Sequence, residues 1–432
     1  MKAAPLEPRL VRAPVAPQWF RASLVIMLAG FLVTFVGVFG LSRVGAILRW
    51  VGLVLCIAGA ASLPMRARRS GIGLLACGAY VLVCLVSALV SDCAPLALAK
   101  WCALAMEVAL CVFLLSGRLT VRDWQWLYDA FAWLMAAMLL GCIVGAVDPS
   151  SYMDQRFKGG LDVNPNAVGM ICMLAFCLWT WRFTADWEKR RPAARMVLSG
   201  GVVLTSLLSL VLTGSRTSAG AVASVFLFWI LVQAAHRRTR AAGLVVVLVL
   251  AASAYLSVEA MAPQYGRFTR APARGGILSS RIARWQQCIG DFSQYPYWGV
   301  GYGVSSQAKG IDVGVSSVGS VTDGGGYFAL LGSVGGIGAG AFLLIVSYAG
   351  WQAWRLVRRS RFLLQGAPYL YQAAAVALGL SVALIGEPWL LGPGSPLQIA
   401  FWLAVGALVT APMLAARSAR ARAGRSEERP GG

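Results

Sequence analysis

Acidic residues are scarce in this chain of 432 residues, 17 against 38 Lys and Arg, and there is one histidine. Each shortage excludes something. No Asp-x-Asp pair and no His/Cys cluster occurs, so the sequence makes no case for a divalent ion, zinc or haem. His236 lies inside the basic run "HRRTR", which takes the usual neutral-pH acid/base side chain out of consideration. The ten cysteines contain no CxxC pair. Cys56, Cys77, Cys84, Cys102, Cys111, Cys142, Cys172 and Cys177 fall inside apolar segments, where they pack as small hydrophobes and build no disulfide framework. Only Cys93 and Cys288 fall near an outer aqueous side. No internal repeat is visible, which argues against the paired halves common in transporters. The N-terminal "MKAAPLEPRLVRAPVAPQ" is polar and the first apolar segment is long, so that segment is expected to remain as an uncleaved anchor.

Apolar residues are abundant: 58% of the chain, with charged residues at 13% and a mean hydropathy of +0.70. No soluble globular domain approaches such values. Segments of about 20 apolar residues, the length that spans a hydrocarbon core, are expected at 22–41, 45–64, 71–90, 96–116, 127–147, 166–183, 196–213, 217–235, 241–258, 326–350, 369–391 and 396–416. The expected fold class is all-α, a polytopic membrane protein with about twelve transmembrane helices. The organisation is nine helices in 1–258, a long loop with an amphipathic helix in 259–325, three helices in 326–416 and a basic tail in 417–432.

Placing both termini and every second loop on one side collects 26 of the 38 Lys and Arg there. That side is therefore cytoplasmic, both termini with it, and the loop 259–325 faces out. The net charge of +21 is a topology signal spread over short segments, not a groove-binding stripe for nucleic acid.

Against this background "LTGSRTSAG" (212–220) places Arg216 between two apolar segments, where a cation is rare unless it lines a cavity or binds something. In the long loop, "SSRIARWQQCIGDF" (279–292) reads as an amphipathic helix capped by Ser279 or Ser280. Ile282, Trp285, Ile289 and Phe292 share one face; Arg281, Arg284, Cys288 and Asp291 share another. The apolar face is expected against the bundle or the lipid interface, and the arginine face toward water. Arg216, Arg281 and Arg284 together suit an anionic ligand, and guanidinium forks match phosphate. Tyr295, Trp298 and Tyr302 in "YPYWGVGYG" form either a stacking platform or a glycine-flanked structural turn. The glycines of "GSVGGIGAGA" allow close backbone approach, and Asp323 stands at the mouth of the tenth segment, where a carboxylate can accept a hydroxyl proton. Glu107, midway along the fourth segment, either pairs with Lys100 or Arg49 or belongs to a proton path.

In this order and spacing, "TGSRTSAGAVA", "RIARWQQCIGDFSQYPYWGVGYG", "YFALLG" and "VGGIG" resemble the O-antigen ligase and Wzy-type polysaccharide polymerase superfamily. "DVNPNAVGM" (162–170) resembles that family's Asn-Pro-Asn turn before a helix. The resemblance implies a GT-C-like glycosyltransferase acting on the periplasmic side of a bacterial inner membrane, with no cofactor, metal or nucleotide sugar. It implies that Arg216 and Arg281 hold the diphosphate of an undecaprenyl-diphosphate-linked donor with help from Arg284, and that Asn164 and Asn166 of the turn bind substrate. Ligases of the family carry a histidine at the start of the tenth helix, where this chain reads "TDGGGYF". Asp323 then stands in as the base, with Asp312 and Glu387 behind it. That departure favours a polymerase, for instance an exopolysaccharide enzyme of the xanthan type. The alternatives are a ligase transferring glycan to a lipid A core and a lipid-linked oligosaccharide transporter. Implied partners are lipid-linked donor and acceptor, the bilayer, a chain-length regulator and a flippase.

Overall fold

A computed structural model describes residues 16–36, 42–65, 71–144, 152–153, 156–158, 165–235, 279–308, 313, 326–359 and 367–427. The described residues are helical almost throughout. In order come α1 (Gln18–Val36), α2 (Ser42–Ser62), α3 (Gly71–Leu89), α4 (Ala94–Val108), α5 (Val121–Val144), α6 (Pro165–Glu188), α7 (Ala193–Thr213), α8 (Arg216–Ala235), α9 (Ser279–Gln294), α10 (Tyr327–Arg358), α11 (Tyr369–Ala383) and α12 (Pro396–Glu427). A π-helical stretch, Ala109–Leu115, and a turn, Ser116–Arg118, prolong α4. Between α5 and α6, Tyr152–Met153 and Arg156–Phe157 pair as a two-residue antiparallel hairpin.

Eight of the described helices are long and apolar enough to cross a membrane, and α1, α11 and the first part of α12 are shorter apolar helices. These account for eleven of the twelve expected segments; the segment expected at 241–258 lies outside the described residues. Two boundaries differ from expectation. The eleventh segment is helical only to Ala383 and then turns through "GEPWLLGPGS", because Pro388 cannot donate a backbone hydrogen bond. The expected tail 417–432 is largely helix, since α12 continues to Glu427.

Burial separates an inner layer from an outer one. The apolar span of α6 is 83% buried, whereas those of α3 and α7 are 33% buried. Large aliphatics on the outer helices are open, such as Leu75 at 74% and Val197 at 73%, as a lipid-facing surface requires. Helix ends sort into two sets. At one end Asp123 accepts from the Ala16 amide at 3.0 Å and pairs with Arg21 at 2.8 Å, and Arg118 donates to the Leu63 carbonyl. The opposite end gathers the starts of α6, α8, α10 and α12 with the ends of α3 and α11.

There the loop after α9 inserts into a break in α10. Gly335 has φ 65°, and a Cβ on it would lie 2.2 Å from the Tyr297 carbonyl oxygen. The kink releases helical backbone groups, which the loop satisfies: Val300 and Gly301 donate to the Gly332 and Ser333 carbonyls at 3.0 Å, and Gly336 donates to Pro296 at 2.8 Å. The glycines of "GSVGGIG" thus admit a loop backbone as well as allowing helix packing.

Candidate functional site

The stretch around Arg216 is a helix-to-helix joint. Gly214 adopts φ 60° and ends α7, and the Ser215 hydroxyl lies 2.9 Å from that of Ser218 across the first turn of α8. Arg216 is the first residue of α8 and is exposed. The joint packs on the first turn of α6: a Cβ at Gly169 would meet Ser215 Cβ at 2.6 Å and the Ser218 hydroxyl at 2.9 Å. It also packs on the turn after α11, because a Cβ at Gly386 would meet Thr217 Oγ1 at 2.4 Å. Both close approaches need glycine on one side.

Three further side chains meet at that turn. Asn166, in the first turn of α6, donates to Glu387 Oε1 at 3.0 Å. Arg281 of α9 donates to the same oxygen at 2.5 Å and to the Gly386 carbonyl. The side chains of Arg281 and Glu387 are 20% and 21% exposed, so solution reaches both. Two helix N-termini, each the positive end of a helix dipole, therefore converge on an arginine and a carboxylate. Such a place favours anions.

The face of α9 that does this is rotated from the expected one. Cys288 and Asp291 are buried, at 2% and 5%, and Ile282 and Ile289 are exposed, at 44% and 47%. Arg281 and Trp285, one turn apart, point with Cys288 toward the bundle, and Trp285 lies 5.1 Å from the Phe328 ring. The physical reason is that α9 lies on backbone: a Cβ at Gly332 would touch the Cys288 carbonyl oxygen at 3.0 Å, so the contact rewards small and polar residues. Ile282 and Ile289 then suit a lipid interface.

Of the remaining expected site residues, Arg284 is exposed and does not bond to this cluster. Tyr295 is 43% exposed and Trp298 half-buried, so their rings stay accessible. Tyr302 is not: it is fully buried, its hydroxyl donates to the Leu390 carbonyl at 3.0 Å, and Gln398 donates to it at 3.1 Å. Burial pushes its phenol well above the usual range. The ring is a structural pillar with no face for a sugar, which selects the turn reading. Asn164, Asp312 and Asp323 lie outside the described residues.

A second polar group sits deeper. Glu107 and Lys100 are fully buried and Arg49 is 4% exposed. Glu107 accepts from the Gly394 amide at 2.6 Å, and Arg49 donates to the Gly394 carbonyl at 2.8 Å. Lys100 donates to the Gly303 carbonyl at 2.6 Å. These charges hold the backbone of the two loops that flank the outer cluster.

Glu387 ranked behind Asp323 on sequence alone, yet among the described carboxylates it is the one bonded to Arg281. A signal existed: the apolar stretch "SVALIGEPWLLGPG" (381–394) holds a single charge, Glu387, and a lone carboxylate in such surroundings is rare unless it pairs or lines a site.

No curated protein matches the chain. Residues 201–323 match the family model described as O-antigen ligase, and that stretch carries Arg216, Arg281 and the loop docked on α10, consistent with the O-antigen ligase and Wzy-type polymerase superfamily.

Proposed function

We propose that the protein is a polysaccharide polymerase of the bacterial inner membrane. It joins undecaprenyl-diphosphate-linked repeats on the periplasmic face by inverting glycosyl transfer. The observation that carries this reading is Arg281 held at the joint headed by Arg216, inside the region matched to the O-antigen ligase family. Two arginines beside two helix N-termini can balance a diphosphate leaving group, the task a metal performs elsewhere. The non-reducing hydroxyl of a second lipid-linked repeat attacks the anomeric carbon, and the bond from that carbon to the diphosphate oxygen breaks on the opposite face. Arg284, Asn164 and Asn166 bind substrate, and the accessible rings of Tyr295 and Trp298 stack on sugars. Asp323 is the carboxylate nearest the start of α10 in sequence.

Ligase chemistry is the second reading, favoured by the description of the matched family. One experiment separates the classes. Arg216→Ala in the native host stops turnover, and Arg216→Lys recovers little, because a point charge does not reproduce the guanidinium fork. Extracted lipid-linked glycans then report the step: single repeats accessible to an external glycosidase for a polymerase, long polymer still on its carrier for a ligase, single repeats on the inner face for a transporter. Polymer of normal amount and length from Arg216→Ala would make Arg216 a structural cap and sink the proposal. An alkaline phosphatase fusion in 259–325 that is inactive, while a cytoplasmic reporter at the same place works, would overturn the periplasmic assignment.

A further inference from the structure

We infer that Glu387 is an internal stand-in for the donor's diphosphate, displaced when the donor binds and thereby released to act as the base for the acceptor. The inference rests on the donor-clamp reading above and deepens it. Its starting point is geometry: one carboxylate oxygen, Oε1, receives both Arg281 and Asn166, at a place where the first turns of α6 and α8 meet. A phosphate oxygen would satisfy the same donors.

The arrangement is built so that one bond can exchange while the others hold. Arg281 grips the turn twice, through one guanidinium nitrogen on the Gly386 carbonyl and another on Glu387. The carbonyl cannot leave. Gly386 is wedged against Thr217, its amide and that of Glu387 both bond to the Ala383 carbonyl, and Pro388 stiffens the next residue. The carboxylate, on three rotatable bonds and 21% exposed, can leave. The pair keeps contact with solution at one-fifth exposure, and a diphosphate with more charge and more oxygens outcompetes a single carboxylate for the fork.

Donor arrival therefore moves one Arg281 nitrogen from Glu387 to a phosphate oxygen. The freed carboxylate stays tethered near the clamp by its own backbone. In the transfer step the acceptor hydroxyl oxygen bonds to the anomeric carbon, its proton passes to Glu387, and the lipid diphosphate departs with the electron pair of the broken bond. Glu387 then returns the proton to water and can re-pair with Arg281 as the diphosphate leaves. Donor-before-acceptor order follows, since Arg281 holds the carboxylate by Oε1 until a diphosphate takes that place.

The test uses the full-length protein in nanodiscs, with undecaprenyl diphosphate as the binding probe and lipid-linked repeat as substrate. Glu387→Gln keeps an oxygen for Asn166 but removes the competing charge. It is expected to bind undecaprenyl diphosphate several-fold more tightly than wild type while turning over about 100-fold more slowly, with partial rate recovery in Glu387→Asp. Binding itself shows that the Gln variant is folded; Glu387→Asp, expected to bind the probe at wild-type strength or tighter, carries the binding arm should the Gln variant accumulate poorly. Unchanged or weaker binding by Glu387→Gln, or wild-type turnover, overturns the inference. Arg281→Ala separates the two proposals: if it binds the probe as tightly as wild type, the clamp reading itself fails, whatever Glu387 does.

Discussion

Two polar groups in one bundle use the same residue types for opposite ends. In the outer one, Arg281 and Glu387 are each about one-fifth exposed and bond side chain to side chain. In the inner one, Glu107, Arg49 and Lys100 are nearly or fully buried and bond to loop backbone at Gly394 and Gly303. A buried charge bonded to peptide groups is shielded from ligands in solution, so its bonds persist and it serves as a pin. A charge at the rim can exchange its partner for a ligand. Position in the dielectric, more than residue identity, separates the fastener from the site proposed to work.

The largest expected contrast comes from breaking one member of each group. Arg281→Ala should cut polymer formation by about 10²–10³-fold while leaving the amount of inserted protein unchanged. Quantifying polymer per inserted molecule checks it. Glu107→Leu should do the reverse. Leaving the Gly394 amide and the Arg49 guanidinium without that carboxylate costs about 3 kcal/mol, read as a lowered melting temperature in detergent, while the molecules that remain folded retain activity. If Glu107→Leu were stable and inactive, Glu107 would belong with the working site or a proton path.

A smaller effect sharpens the boundary between the groups. Trp285→Ala should lower abundance through loss of its packing on Phe328, by about 2 kcal/mol, because α9 is seated by that contact. Next, Gly386→Ala should disrupt the joint, since its Cβ would lie 2.4 Å from Thr217 Oγ1. Adding Thr217→Ala should restore a good part of the loss, about 1 kcal/mol of coupling measurable in a double-mutant cycle. Additive effects would mean that the turn and the joint do not touch. The smallest change is expected at Arg284→Ala, a few-fold rise in KM with kcat preserved, because this arginine is exposed and outside the Glu387 cluster.

Much of the bundle was legible before any coordinates. Long apolar runs dictate helices in lipid because every backbone group must be satisfied internally, and eleven of the expected segments fall on described helices. "TGSRTS" announced its own joint, a glycine to end one helix and a serine to start the next. The orientation of α9 was not legible. Periodicity reports which residues share a face, but the partner decides which face packs, and here the partner is the glycine-lined start of α10. Tyr302 had two readings for the same reason: a glycine-flanked aromatic looks alike whether its ring is open or buried.

Composition, periodicity and the distribution of Lys and Arg by themselves determined an all-α membrane protein, the places where it turns and an arginine at a helix junction, since these follow from local backbone chemistry and from transfer between water and lipid. Only the tertiary structure decided which distant residues share a site. Glu387 lies 221 residues from Asn166 and 106 from Arg281. They meet because Gly169 and Gly386 let three helix ends approach to contact distance, and such non-local approach leaves no period in the sequence to read.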